Sequence, residues 1–136
     1  MKNMSTQLIH VCNVCIEKCQ SGIDALQKVS ELCSFKVTAD CAAQLGKSVK
    51  ACDAIIVACN ECIAECQKHM HACENATCKK YCKECIDACK ATIEFCKKTM
   101  AECQAQSGEC LTDSVRAVKQ FTACAQACQA CLNHKH

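Results

Sequence analysis

The chain contains no proline and no tryptophan, and only three glycines, three phenylalanines and one tyrosine in 136 residues. So few turn formers and aromatics exclude an enzyme built on an α/β sheet, which needs Gly-rich turns and strands of Val and Ile. No apolar run approaches the roughly 18 residues of a transmembrane helix. The formal net charge is only +2, with Lys and Glu interspersed as on solvated helix faces. Such balance gives no reason to expect a nucleic acid or an anionic membrane as partner. A Gly-rich phosphate loop, a nucleophile elbow and an H-E-x-x-H pair are all missing, so the expectation is a protein that is not an enzyme. The first residues lack an apolar stretch of 7–15 and a twin-arginine pair, which reads as a chain without an export signal.

Ordinary core residues are also scarce. Leu, Ile, Val and Phe together make up 25 of 136 positions, about 18%. Below about 20% the usual expectation is disorder, but disorder goes with high net charge. The missing apolar volume has one source, because 20 residues are cysteine. Free cysteine packs like a small hydrophobe. In a reducing cytosol such a density of thiols points to metal rather than to disulfides.

The cysteine spacing is helical. Cys12, Cys15 and Cys19 stand at i, i+3, i+7, and Leu26 and Cys33 continue the step. Cys52, Cys59, Cys66 and Cys73 are each seven apart, with Cys62 between them. Cys82, Cys89, Cys96 and Cys103 repeat the step, flanked by Cys78 and Cys85. Cys110, Ala117, Cys124 and Cys131 do so again, beside Cys128. Residues three, four and seven apart share one helix face. The spacing predicts helices near 4–32, 38–72, 76–105 and 109–132 in one all-α domain spanning 1–136. Short connections make neighbours antiparallel, giving an up-down-up-down four-helix bundle with a Cys-lined core. Glu74-Asn75-Ala76-Thr77 offers N-caps for the third helix, and Ser107-Gly108 a Gly C′ residue and a Ser N-cap. Gly22 and Gly46 fall inside helical pattern, as sites of close packing or as weak points. The runs C-x2-C-x3-C at Cys12 and Cys59 reverse to C-x3-C-x2-C at Cys78 and Cys124, as antiparallel helices presenting sulfur at one level require.

Four inward stripes of thiol make a tube. Zinc wants closed sites of four ligands, whereas continuous stripes distribute sulfur along an axis. Soft thiolates also select Cu(I). One Cu⁺ per bridging thiolate leaves a neutral assembly, avoiding the cost of buried net charge. The capacity is then about one ion per cysteine, on the order of 20. The i, i+4 pairs Cys15/Cys19, Cys62/Cys66, Cys78/Cys82, Cys85/Cys89 and Cys124/Cys128 can each chelate one ion within a helix.

These four Cys-striped helices, with their repeated and reversed runs over essentially the whole chain, resemble the bacterial copper storage proteins, in particular their cytosolic branch. The resemblance implies a four-helix bundle filled with multiple Cu(I) ions, a homotetramer, and copper storage or detoxification in the cytoplasm. It carries the thiolate role to the cysteines named above and, nearer the loops, to Cys33, Cys41 and Cys110.

Fourteen cysteines fall at the end where the first and third helices begin; Cys33, Cys41, Cys52, Cys96, Cys103 and Cys110 lie toward the other. His10, His69, His71, His134 and His136 all join the dense end, with Met4 and Met70. His69 follows Cys62 by seven and points inward. It is expected to line a copper entrance with Met70 and His10 or His134; the competing reading is an ordinary polar mouth with a frayed terminus. Phe121, Leu26, Val29, Leu45, Ile55 and Val118 read as an apolar plug toward the sparse end, with Met100 as core filler. The rival functions are a zinc buffer and an Fe–S redox protein, the latter because Cys78-x3-Cys82-x2-Cys85 matches the spacing of radical enzymes. A ferredoxin-type binding loop is not supported, since its C-P ending needs proline. A disulfide-stapled bundle is disfavoured, since cysteines at i, i+3 or i+4 on one helix are poor partners.

Overall fold

A computed structural model describes residues 6–33, 39–106 and 109–134. They form α1 (Thr6–Leu32), α2 (Ala39–Ala72), α3 (Ala76–Gln104) and α4 (Cys110–Asn133), with no strand among the described residues. Each expected boundary that falls on described residues lies within two residues of the observed one. Residues 4 and 38, two of the expected starts, lie outside the described residues.

α1 packs on α2 and α4, and α3 on α2 and α4, so the helices form a square with neighbours antiparallel. Sulfur pairs fix the direction. Cys12 faces Cys62 and Cys15 faces Cys59, so α2 descends as α1 rises. Cys85 faces Cys128 and Cys89 faces Cys124, which sets α4 against α3 in the same way. The bundle is therefore up-down-up-down.

The helix ends follow from local chemistry. Asn75 caps α3: its Oδ1 accepts the backbone N–H of Cys78 at 3.0 Å, a bond that satisfies one of the helix's four free donors. Gln106 takes a left-handed conformation after the cap of α3, at φ 50°; Ser107 and Gly108, the expected N-cap and C′ residues, lie outside the described residues. α4 starts at Glu109 with no side-chain cap bond.

The core is mostly sulfur. All but one of the free cysteines are buried, Cys73 being the half-buried exception. Beyond Cys19 the sulfur column meets the expected plug: Phe121, Leu26, Val29 and Ile55 are fully enclosed, Leu45 is buried, and Val118 and Met100 pack half-buried against them. Gly22 makes this plug possible. A Cβ at that position would lie 2.5 Å from Ile55 Cδ1 and 3.1 Å from Phe121 Cε2, so the close-packing reading holds there. Gly46 is different, since nothing stands within 4 Å of its missing Cβ.

One departure concerns two expected ligands. Cys33 and Cys41 are joined by a disulfide across the α1–α2 connection, so in this state neither sulfur is available as a thiolate. The spacing argument against disulfides applies along one helix. These two sit at the ends of two successive helices that a short connection brings together, with Cα atoms 5.1 Å apart, well within bridging range.

Candidate metal centre

The heptad step places one inward sulfur per two turns on each helix, and the i+3 and i+4 cysteines fill the turns between. Four helices so striped bring sulfurs into overlapping groups whose ligand atoms lie within 4.8 Å of one another. At the mouth, His69 and Cys73 from the end of α2 meet Cys78 of α3. Below it, Cys66, Cys82 and Cys131 come from three helices. Next are Cys12, Cys62, Cys66 and Cys85, then Cys62, Cys85, Cys89 and Cys128, then Cys15, Cys89, Cys124 and Cys128. Cys62, Cys66, Cys85, Cys89 and Cys128 each belong to two groups. The column is thus a continuous ladder with shared rungs, not a set of separate sites.

Within the ladder, sulfur–sulfur separations run from 3.5 Å at Cys62–Cys85 and Cys85–Cys128 to 4.0 Å at Cys15–Cys89. Two sulfurs each about 2.3 Å from a tetrahedral metal stand about 3.8 Å apart, so the sulfurs already sit near ligand spacing. Three of the five expected i, i+4 pairs, Cys62/Cys66, Cys85/Cys89 and Cys124/Cys128, fall together within a group. Cys15 hydrogen-bonds Cys19, and Cys78 interacts with Cys82. Cys59 hydrogen-bonds Cys124 and Cys15 and closes the lower end of the column.

Thiols this crowded cannot all ionise together. Hydrogen bonding to Cys12 holds the Cys62 thiol down at about 7. Cys66, hydrogen-bonded first to Cys12, and Cys89 and Cys128, hydrogen-bonded first to Cys124 and Cys12, are pushed up well above the ordinary thiol value. Burial adds to each of these rises because it disfavours the thiolate. Without a cation, charge is therefore carried by some sulfurs and withheld from their neighbours.

The core supplies no cation of its own. Among the described residues the buried polar groups are Gln44, Ser48, Thr92, Thr99, Ser114 and Asp113, with no lysine or arginine. Bound metal ions are what could neutralise a fully ionised ladder.

The histidines divide. His69 Nε2 lies 3.0 Å from Cys78 Sγ, so the inward placement expected from the heptad step is observed. His134 stacks on Tyr81, ring centroids 4.7 Å apart. His10 and His71 are exposed. Met70 is half-buried, packs against the core and also lines a groove with His71, Lys79 and Lys83. Met4 and His136 lie outside the described residues. Toward the other end, Cys96 hydrogen-bonds Cys52 and still feels Cys124 and Cys15 of the ladder, and Cys103 faces Cys110 at 3.0 Å. The sequence reading overlooked Asp113, which is buried beside this last pair. Its signal was its place three residues after Cys110, on the face that carries the sulfur.

No helix among the described residues is long and apolar enough to cross a membrane. Compared with known protein families, curated proteins and solved structures, the chain matches none.

Proposed function

We propose that this chain stores Cu(I), with about one ion per free thiolate, in the core of its bundle. The observation that carries the reading is the sharing of sulfurs between successive groups. Cu(I) takes two or three thiolates and lets each bridge two ions, so shared rungs multiply its sites. Zn²⁺ closes four ligands around one ion. Of the three four-sulfur groups described above, only Cys12/Cys62/Cys66/Cys85 and Cys15/Cys89/Cys124/Cys128 have no member in common. Zinc closing those two groups would form two tetrathiolate sites, each leaving net charge −2 in an interior whose described residues include no buried lysine or arginine. One Cu⁺ per thiolate leaves none, which favours the monovalent ion.

In this reading ions enter at His69, Cys73 and Cys78 and pass down the ladder. The resemblance to the cytosolic copper storage proteins supplies the storage or detoxification role, the cytoplasmic setting, where free thiols persist, and the homotetramer.

The test is a titration of the reduced chain with Cu(I) against a strong competing chelator. Saturation at about one ion per free cysteine, 18 with the Cys33–Cys41 bond intact, supports storage. Saturation at two Zn²⁺ held more tightly than copper, or a brown Fe–S absorbance in the isolated protein, overturns it.

A further inference from the structure

The end of the bundle away from the histidines holds a second, chemically different cluster. Cys103 ends the α3 stripe and Cys110 begins the α4 stripe; both are buried, with sulfurs 3.0 Å apart. Asp113 lies one turn into α4, its side chain only 5% exposed, close enough for its charge to be felt at the Cys103 sulfur. A buried carboxylate in a small all-helical protein needs a reason, because desolvation of the anion is costly. Part of the reason is visible: Lys98 Nζ stands 3.7 Å and an Arg116 guanidinium nitrogen 4.0 Å from Asp113 Oδ1, and the N-terminal turn of α4 favours a negative charge. The second oxygen is not accounted for. Asp113 Oδ2 is buried and has no hydrogen-bond partner among the described residues. On α3, Thr99 Oγ1, one turn before Cys103, is likewise buried without a partner among the described residues.

We propose that Cys103, Cys110 and Asp113 form a separate site for a divalent, zinc-class ion, with Asp113 Oδ2 as its oxygen ligand. Two thiolates and a carboxylate are a donor set that zinc accepts, its fourth position being left for water. A monovalent soft ion has no use for the carboxylate. The charges agree as well. Two thiolates balance one divalent ion, and the Asp113 charge is met at the surface by Lys98 and Arg116. The fully buried Phe121, Ile55 and Leu26 occupy the core between this end and the ladder, with Cys52 and Cys96 as the cysteines beside them. Metal binding requires the sulfur pair to open from 3.0 Å toward the roughly 3.8 Å edge of a tetrahedral site, a change within reach of side-chain rotation. The site closes the α3–α4 connection at the end where the Cys33–Cys41 bond closes α1–α2. It does not depend on what fills the ladder.

The test compares the fully reduced wild-type chain, Cys103→Ser/Cys110→Ser and Asp113→Asn, each titrated with Zn²⁺ against a chromophoric chelator. The double variant should bind one Zn²⁺ fewer than wild type. Asp113→Asn should keep the other zinc ions and weaken this one by tenfold or more, while its Cu(I) uptake by the ladder stays unchanged. Reduced Cys33 and Cys41 are present in all three proteins and cancel from the difference. Equal zinc counts in wild type and the double variant, or an Asp113→Asn titration superimposable on wild type, would overturn the proposal. If the double serine variant does not fold, the near-isosteric Asp113→Asn variant decides alone. A failed copper titration would sink the storage reading and leave this zinc difference standing.

Discussion

His69 Nε2 lies 3.0 Å from Cys78 Sγ, linking the last turn of α2 to the first turn of α3 at the mouth of the sulfur column. An imidazole nitrogen beside a thiol gives an arriving Cu(I) two ligands at once, and Cys73 offers the third. His69→Ala should therefore slow the initial phase of Cu(I) uptake, read by stopped-flow absorbance, while leaving final capacity almost unchanged. An uptake rate equal to wild type would remove His69 from the entrance.

Shared and unshared sulfurs should differ in their effect. Cys128 belongs to two of the four-sulfur groups described above, and Cys131 to none of those three. Cys128→Ser should lower the number of tightly held Cu(I) ions by more than Cys131→Ser does. Mass spectrometry of the loaded variants measures this, and equal losses would mean that the groups fill independently.

Ionisation sets a pH profile for the metal-free bundle. Cys62, lowered to about 7 by its hydrogen bond to Cys12, contributes stability in full above the ordinary thiol value near 9 and loses it as pH falls through about 7. Cys66, Cys89 and Cys128 are raised by hydrogen bonding and burial. Their contribution is complete below about 9 and is lost as pH climbs beyond it. Cys12, Cys15, Cys85 and Cys124 are lowered as well, so thermal melts of the reduced, metal-free protein should show stability rising from pH 7 toward 9 and falling above. Copper loading replaces these protons, so the alkaline fall should vanish in the loaded protein; a fall of equal size in both forms would refute this origin.

The sequence and the structure agree most closely where a repeating pattern covered many residues. The seven-residue cysteine step placed four helices and their inward faces, because one slipped residue would have turned each stripe to solvent. Asn75 was legible for a local reason: a short polar side chain before a helical run is a cap wherever the run packs. What escaped depends on long-range geometry. The Cys33–Cys41 bond joins the ends of two helices, and spacing rules along one helix say nothing about that. Gln106 takes a left-handed conformation, which a glutamine gives no local reason to expect. Asp113 is enclosed by long-range packing, which no local pattern around it specifies.

The two helical glycines give opposite predictions from one substitution. In the interior of a helix, alanine is favoured over glycine by about 1 kcal/mol. At Gly46 nothing stands within 4 Å of the new methyl, so Gly46→Ala should stabilise the bundle by about 0.5–1 kcal/mol. At Gly22 the same methyl meets Ile55 Cδ1 at 2.5 Å and the Phe121 ring at 3.1 Å. Ile55 can rotate its terminal methyl, but it is fully enclosed and the Phe121 ring is rigid, so the plug must shift. Overpacking of this kind costs about 1–3 kcal/mol, which cancels or exceeds the gain in helix propensity. Gly22→Ala should be neutral to destabilising, and Gly22→Val, with a branched side chain in the same space, clearly destabilising. Urea unfolding of the reduced protein measures all three. The close-packing role of Gly22 fails if Gly22→Ala gains as much stability as Gly46→Ala.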